Sequence, residues 1–338
     1  ILSFSSGVLI IFLPIINPPN YILTNKKVNS SFFICLLLLY HFSIGAFSRI
    51  VSKKLNIPVV HTYHTLYEDY LYYITHGHFE KLSQKIALKI TKYYTEKKCD
   101  ALIVPTDKIK DLFVNKYNIT KNINVIPTGI DTKKFELTLK MEKEIKQIRK
   151  KYQLKDNDFI IGAVGRIAKE KSFDKLIIAM KDLIKQDKNI KLLIIGKGPT
   201  KEELENLTKE LNIENNVIFT GPVSYDLMPS YYNTFDCLTS FSKTETQGLT
   251  IIEALASSIP TVCINDKSFS DVIKNNYNGY LFNNQNEFIN YIIDLKENKK
   301  LYNEMTINAK KSIYNYTKEA FANNILKVYS KAIQKINK

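Results

Sequence analysis

From Ile57 onward, short β-branched and apolar runs alternate with stretches whose apolar residues recur at helical spacing. The first series predicts strands at Pro58–Thr62, Ala101–Val104 and Ile123–Ile126, with helices at Phe79–Lys97 and Asp107–Lys116 between them. A turn at Ile126-Pro-Thr-Gly129-Ile-Asp131 and a lysine-rich, helix-prone connector at Leu137–Lys151 follow, and the domain boundary is placed there. A second series predicts strands at Phe159–Gly165, Lys191–Gly196, Asn216–Thr220, Phe235–Thr239, Thr261–Ile264 and Gly279–Phe282, each leading into a helix-like stretch. A last helix is expected over about Lys318–Asn337. Strand and helix in strict alternation imply parallel sheets covered by helices, the α/β class. A chain of 338 residues can bury two such cores. Ligands of doubly wound sheets bind beyond the carboxyl ends of the strands, so the residues that follow each strand are the ones to read for chemistry.

Residues 1 to 47 break this rhythm. Two apolar runs, Val8–Ile16 and Phe32–Tyr40, are separated by Pro18-Pro19 and a polar stretch, and neither reaches the ~20 residues that span a bilayer. The pattern also lacks the basic start and small-residue cleavage site of a signal peptide. A membrane hairpin is one reading of residues 1–40, although the proline pair and the short runs fit it poorly.

Net charge is +15, but the lysines are scattered along helices, and no aromatic-basic module or arginine-rich run suggests nucleic acid. The charge fits an anionic membrane surface or a diphosphate substrate. Cys35, Cys99, Cys237 and Cys263 have no metal-ligand spacing and fit a reducing compartment. His76-Gly-His78 lacks a third ligand and is expected to be a solvated loop.

The most distinctive segment runs from Ser240 to Val262. It predicts a strand end, a polar turn with Glu245 and Gly248, and a helix over Thr250–Ser257 that carries Glu253 two turns in. A helix start offers backbone N–H groups and a partial positive charge to a diphosphate or to sugar hydroxyls. Two glutamates at this spacing are more often solvated charges on a helix, and only their setting favours a site. A second setting lies at Ile161–Ile177, where a strand and a glycine turn put Arg166 and Lys171 five residues apart. Both cations can grip a diphosphate; at ~4 Å a charge pair is worth about 4 kcal/mol at an effective dielectric near 20. The bland reading is a pair of surface cations.

Glu245 to Glu253 resembles the E-x7-E signature of retaining GT-B glycosyltransferases of glycosyltransferase family 4, and the likeness extends over most of the chain from about Tyr40. Thr244-Glu-Thr-Gln-Gly-Leu-Thr250, with His61-Thr-Tyr-His64-Thr-Leu-Tyr-Glu-Asp-Tyr70, is similar to the branch that glucosylates diacylglycerol. The resemblance implies two facing Rossmann-like domains: an acceptor-side domain at 41–137, incomplete because the family's opening strand and glycine-rich loop are missing, and a nucleotide-sugar domain at 138–316. Residues 1–40 are then expected to be foreign to the fold, as in a truncated or frame-shifted start. Residues 317–338 would form a helix packing back toward the first domain. Gly165, Arg166 and Lys171 correspond to the family's phosphate clamp, with Ser172 in place of its final glycine, where a serine is expected to cap the helix. Glu245 and the amides near Gly248 and Leu249 would hold the hexose, Thr250 would join the donor pocket, Glu253 would bind the ribose and Val223 the base, with Glu245 and His64 as the catalytic residues. His64 would complete the sugar pocket, with His61 as its nearest competitor, although on spacing alone a histidine satisfying strand-end carbonyls deserves nearly equal weight. Gly196-Lys-Gly198-Pro199 is expected to be a structural turn.

The reading is a metal-independent, retaining hexosyltransferase with a UDP-sugar as co-substrate, UDP-glucose first. Its acceptor is a lipid, diacylglycerol first, at the cytoplasmic face of the membrane. Lys81, Lys85, Lys89 and Lys92 form a stripe that could lie on anionic lipid, although a surface helix packed on the sheet by its apolar side is the better explanation, and the tyrosines at 67, 70, 72 and 73 can line an acceptor groove or fill the core. Alternatives are a transferase acting on a polysaccharide or another glycolipid, and a non-catalytic nucleotide-binding remnant. A dinucleotide oxidoreductase is disfavoured because no G-x-G-x-x-G turn follows a strand.

Overall fold

The computed structural model describes residues 42–64, 85, 88–89, 91–97 and 99–336. These divide into two compact units: the chain up to Ile126 together with the chain from Asn323, and Pro127–Ala322.

In the first unit, β1 (Val60–Thr62), β2 (Ala101–Val104) and β3 (Ile123–Val125) form a parallel sheet in that order. Helix α1 (Phe42–Leu55) precedes β1, and α2 (Asp107–Asp111) follows β2. The single helix expected at Asp107–Lys116 changes pitch after Asp111: Leu112–Lys116 is π-helical, and the Tyr117 N–H reaches the Leu112 carbonyl five residues back. Phe113 is fully buried in this turn and meets the rings of Tyr63 and Tyr117 edge-on at 4.7 and 5.0 Å. Residues 91 and 92 are α-helical and Tyr93–Lys97 π-helical. Most of the helix expected from Phe79, the His76-Gly-His78 loop, Lys81 and the tyrosines at 67, 70, 72 and 73 lie outside the described residues.

The second unit holds six parallel strands: β4 (Phe159–Val164), β5 (Ile190–Ile195), β6 (Val217–Gly221), β7 (Cys237–Ser240), β8 (Thr261–Ile264) and β9 (Gly279–Phe282). Central strands are buried on both faces, which is why Ile160, Ile161, Leu192, Leu193 and Ile194 read as unbroken apolar runs and not as alternation. Around the sheet lie α3 (Leu139–Lys151), α4 (Phe173–Gln186), α5 (Lys201–Glu210), α6 (Met228–Tyr232), α7 (Leu249–Ala256), α8 (Lys267–Ser270), α9 (Gln285–Glu297) and α10 (Lys299–Ser312), and α11 (Lys318–Ile336) ends the chain's described elements. Helix α4 illustrates why: Phe173, Leu176, Ile177, Met180 and Leu183 recur at three- and four-residue spacing and are all buried, each side chain stabilising by roughly 1.5–3 kcal/mol.

Strand order is β6-β5-β4-β7-β8-β9. The chain winds outward from β4 in one direction, returns to the other side of β4 and winds outward again. The loops after β4 and β7 therefore leave their neighbouring strand ends in opposite directions and open a crevice between them.

The boundary between the units falls at Ile126/Pro127, ahead of the connector that the sequence suggests. Hydrogen bonds explain the shift. Thr128 is bonded to Gln247, the Ile130 N–H donates to the Tyr316 carbonyl, the Lys318 N–H donates to the Ile130 carbonyl, and Lys318 pairs with Asp131 at 2.9 Å. The connector helix α3 then joins the same unit through Ser230, which donates to Glu144, and through the Tyr152 and Tyr231 hydroxyls, 3.2 Å apart. Helix α11 starts in the second unit, and its residues from Asn323 belong to the first.

Ser172 corrects an expectation. It joins a 3-10 turn (Lys169–Lys171) to α4 with φ 53° and ψ 40°, and its hydroxyl makes no capping bond. The position demands the left-handed backbone that glycine adopts freely, so the serine is strained there and does not work as a side-chain cap. Ser172→Gly should stabilise the protein by up to about 1 kcal/mol, the relief of strain exceeding the added chain entropy, and raise its melting temperature by roughly 2–4 °C. A calorimetric scan showing no change or a fall would refute this.

Candidate active site

Three strand ends and a helix start enclose a pocket of about 640 Å³ in the second unit, lined by Val164–Arg166 after β4, Ile195–Pro199 after β5, Pro222 and Val223 after β6, and Met228 at the start of α6. Glycine makes it. A Cβ at Gly196 would overlap the Gly165 carbonyl oxygen, and one at Gly198 the Ile167 carbonyl oxygen, so backbone packs directly on backbone at the carboxyl edge. The Cβ position of Gly165 faces open space. Gly165, the exposed Arg166 and the half-buried Val223 are thus brought together, as the sequence suggests. The Gly196–Pro199 turn, expected to be structural, is also a pocket wall.

Across the strand-order reversal, the loop from β7 to α7 carries the other residues. Gly248 has φ 74° and ψ 59°, and a Cβ there would stand 2.6 Å from the Phe269 ring; both facts demand glycine. It is the N-cap of α7, where no side chain caps the helix. Leu249 and Thr250 form the first turn, with Leu249 exposed. Glu253 is the fifth residue of α7 and so lies little more than one turn in, not two.

Lys171 and Glu245, the expected phosphate cation and sugar carboxylate, are bonded to each other at 2.5 Å. Their pair ties the loop after β4 to the loop after β7, and the Thr244 hydroxyl adds a bond to the Glu170 carbonyl at 3.3 Å. Both side chains keep about a fifth of their surface in water, 20% and 23%. A partly solvated ion pair stabilises by about 1 kcal/mol or less, so a ligand offering each partner a better contact can open it.

Glu253 accepts a hydrogen bond from the Tyr232 hydroxyl at 2.6 Å. Burial raises its carboxyl above the ordinary range, and the Tyr232 bond partly offsets this. Tyr232 is itself fully buried, and burial together with the Glu253 charge pushes its phenol well up, so it stays a donor. Its helix α6 begins with the pocket residue Met228. Sequence reading missed Tyr232 because an aromatic on a short apolar helix looks like core packing, which it also is.

In the first unit, His61 on β1 is buried and its Nδ1 lies 3.0 Å from the Arg49 guanidinium. Arg49 also sits over the Tyr94 ring at 4.4 Å and donates to the Tyr94 carbonyl. Burial, with the Arg49 charge second, lowers the His61 pKa to about 3. Because guanidinium only donates, Nδ1 accepts and the neutral ring carries its proton on Nε2. His64, half-buried beyond β1, is also lowered by burial and neutral at pH 7. Among the described residues no three His, Cys, Asp or Glu side chains gather as metal ligands do.

Two family models match. Residues 144–312 match "Glycosyl transferases group 1", half of the chain, and residues 37–134 match "Glycosyltransferase Family 4". The chain is 33% identical over 300 residues to an alpha-monoglucosyldiacylglycerol synthase of Acholeplasma laidlawii, covering 88% of this chain and 75% of that protein. The chain belongs to the group 1 and family 4 glycosyltransferases. The corresponding synthase of Streptococcus pneumoniae is 31% identical over 295 residues, 86% of this chain and 65% of that one. Among solved structures of the GT-B fold, Anabaena HepE in complex with UDP-glucose superposes on this glycosyltransferase with a TM-score of 0.71 at 18% identity, covering 86% of this chain and 76% of that chain. Sucrose-phosphate synthase from Thermosynechococcus elongatus gives 0.72 at 20% identity, over 86% and 72%.

The His61 environment makes an acid-stability prediction. The unfolded chain protonates this residue near pH 6.5 and the folded chain only near pH 3, so between those values the unfolded state binds more protons and stability falls as pH falls. From pH 6.5 to pH 5 the loss attributable to His61 should be about 2 kcal/mol. His61→Asn, whose side-chain oxygen can accept from Arg49 without titrating, should lose that slope in urea unfolding followed at both pH values. An unchanged slope would contradict the assignment.

Proposed function

We propose that this glycosyltransferase moves glucose, with retention, from UDP-glucose to diacylglycerol at the cytoplasmic face of the membrane. The observation that carries the donor half is the glycine-lined pocket at the carboxyl edge of β4–β6, with Arg166 at its wall and the Lys171–Glu245 pair in the loops on either side of the strand-order reversal. The acceptor half is supported by the likeness to the monoglucosyldiacylglycerol synthases. No described helix is long and apolar enough to cross a membrane, and a net charge of +15 suits contact with anionic lipid.

In this reading the diphosphate meets Arg166 and draws Lys171 off Glu245. A single ligand that presents anionic phosphate next to a ring of hydroxyls satisfies both partners of the ion pair at once: phosphate takes the lysine, and a hexose hydroxyl donates to the carboxylate. The amides at Gly248 and Leu249 face the sugar, Glu253 accepts from the ribose while Tyr232 holds its other side, and Val223 meets the base. As the bond from the anomeric carbon to the phosphate oxygen breaks, the departing phosphate takes the acceptor hydroxyl proton, and the acceptor oxygen bonds to the same face of the sugar. The two cations hold the charge that builds on the leaving group, with no metal required.

Radiolabelled UDP-glucose incubated with vesicles containing diacylglycerol should yield a monoglucosyl lipid. Arg166→Ala and Glu245→Ala should each lower kcat/KM by roughly 10²–10³-fold. Label moving only to soluble glycans would replace the lipid acceptor. UDP binding without transfer to any acceptor would leave a nucleotide-binding protein instead.

A further inference from the structure

One buried residue of the β7–α7 loop that no catalytic role absorbs is Gln247, 5% exposed. Its side-chain amide makes two hydrogen bonds to one residue: Oε1 accepts from the Thr128 N–H at 2.9 Å, and Nε2 donates to the Thr128 carbonyl at 3.1 Å. The amide thus pairs with backbone as a neighbouring strand would, and both its polar ends are satisfied. Thr128 is itself fixed. The adjoining Gly129 is packed so tightly on the chain at Thr317 that a Cβ there would overlap the Thr317 carbonyl, and Ile130 is bonded to Tyr316 and Lys318. Gln247 therefore fastens the middle of the loop to an immobile point, between Glu245 on one side and the left-handed Gly248 on the other.

We propose that Gln247 is a positioning residue for the donor. By clasping both backbone groups of Thr128 it holds Glu245 and the Gly248–Leu249 turn at the height where the sugar of a nucleoside diphosphate sugar meets them. This rests on the donor-site reading above. Few other side chains can do the same work: methionine matches the length and fills the volume, but it neither accepts strongly nor donates, so both bonds to Thr128 are lost.

The test is steady-state kinetics of Gln247→Met beside the wild type, with UDP-glucose and diacylglycerol vesicles varied in turn, and calorimetric UDP-glucose binding to each. The expected result is a donor KM and Kd raised about tenfold in the folded variant, an acceptor KM unchanged, and a melting temperature lowered by a few degrees as the two bonds are lost. A folded Gln247→Met protein with wild-type donor KM and Kd overturns the proposal, since a purely structural tie lowers the folded fraction without touching the constants of the folded enzyme. If the variant does not fold, hydrogen exchange in the wild type decides: bound UDP-glucose should slow exchange of the Thr128 amide, and an unchanged rate overturns the proposal. Wild-type protein that binds no UDP-glucose would instead remove the donor-site reading, an outcome distinct from a normal wild type with an indifferent variant.

Discussion

The reversal of strand order between β4 and β7 is the constraint on which the site depends. In a parallel sheet each crossover normally runs over the end of the neighbouring strand, but here the loops after the two adjacent strands leave in opposite directions. The gap between them exposes backbone at the carboxyl edge, and glycines at 196 and 198 let the strand ends close up so that main chain forms part of the wall. Arg166 and the Lys171–Glu245 pair then supply charge at the loops that flank it.

The ion pair has a second consequence. Without ligand, a cation and a carboxylate that would each meet a different part of the donor neutralise one another, so neither is left as an isolated half-buried charge. A donor bound as proposed would have only a weak, partly solvated contact to replace. The loop behind this pair is held more firmly, by Gln247 on Thr128. The site is thus exchangeable where the ligand arrives and rigid one step behind, and that rigidity keeps donors and acceptors aimed at a position before the ligand fills it.

Much of this was legible in the residues. Apolar runs such as Ile190–Ile195 located the strands to within a residue or two, because a strand buried on both faces tolerates little else. Gly248 and Gly165 were legible because only glycine serves where the backbone turns left-handed or must present itself bare. The pairing of Lys171 with Glu245 was not, since no periodicity reports a contact between residues 74 apart. Tyr232 and Gln247 were hidden for a related reason: a buried phenol or amide is indistinguishable in sequence from filler until its partner is known. Ser172 looked like a cap because serine favours that place on average, whereas the local turn forces its backbone to a glycine angle. The unit boundary moved to Ile126 because a few hydrogen bonds at Thr128 and Ile130 outweigh the compositional signal of the lysine-rich connector.

A crystal structure of this protein soaked with UDP-glucose tests the account most directly. The diphosphate should lie at the Gly165–Arg166 edge, with Lys171 withdrawn from Glu245 and Glu245 turned to a hexose hydroxyl. Nucleotide density elsewhere in the chain, or at this edge with the Lys171–Glu245 contact intact, would contradict it.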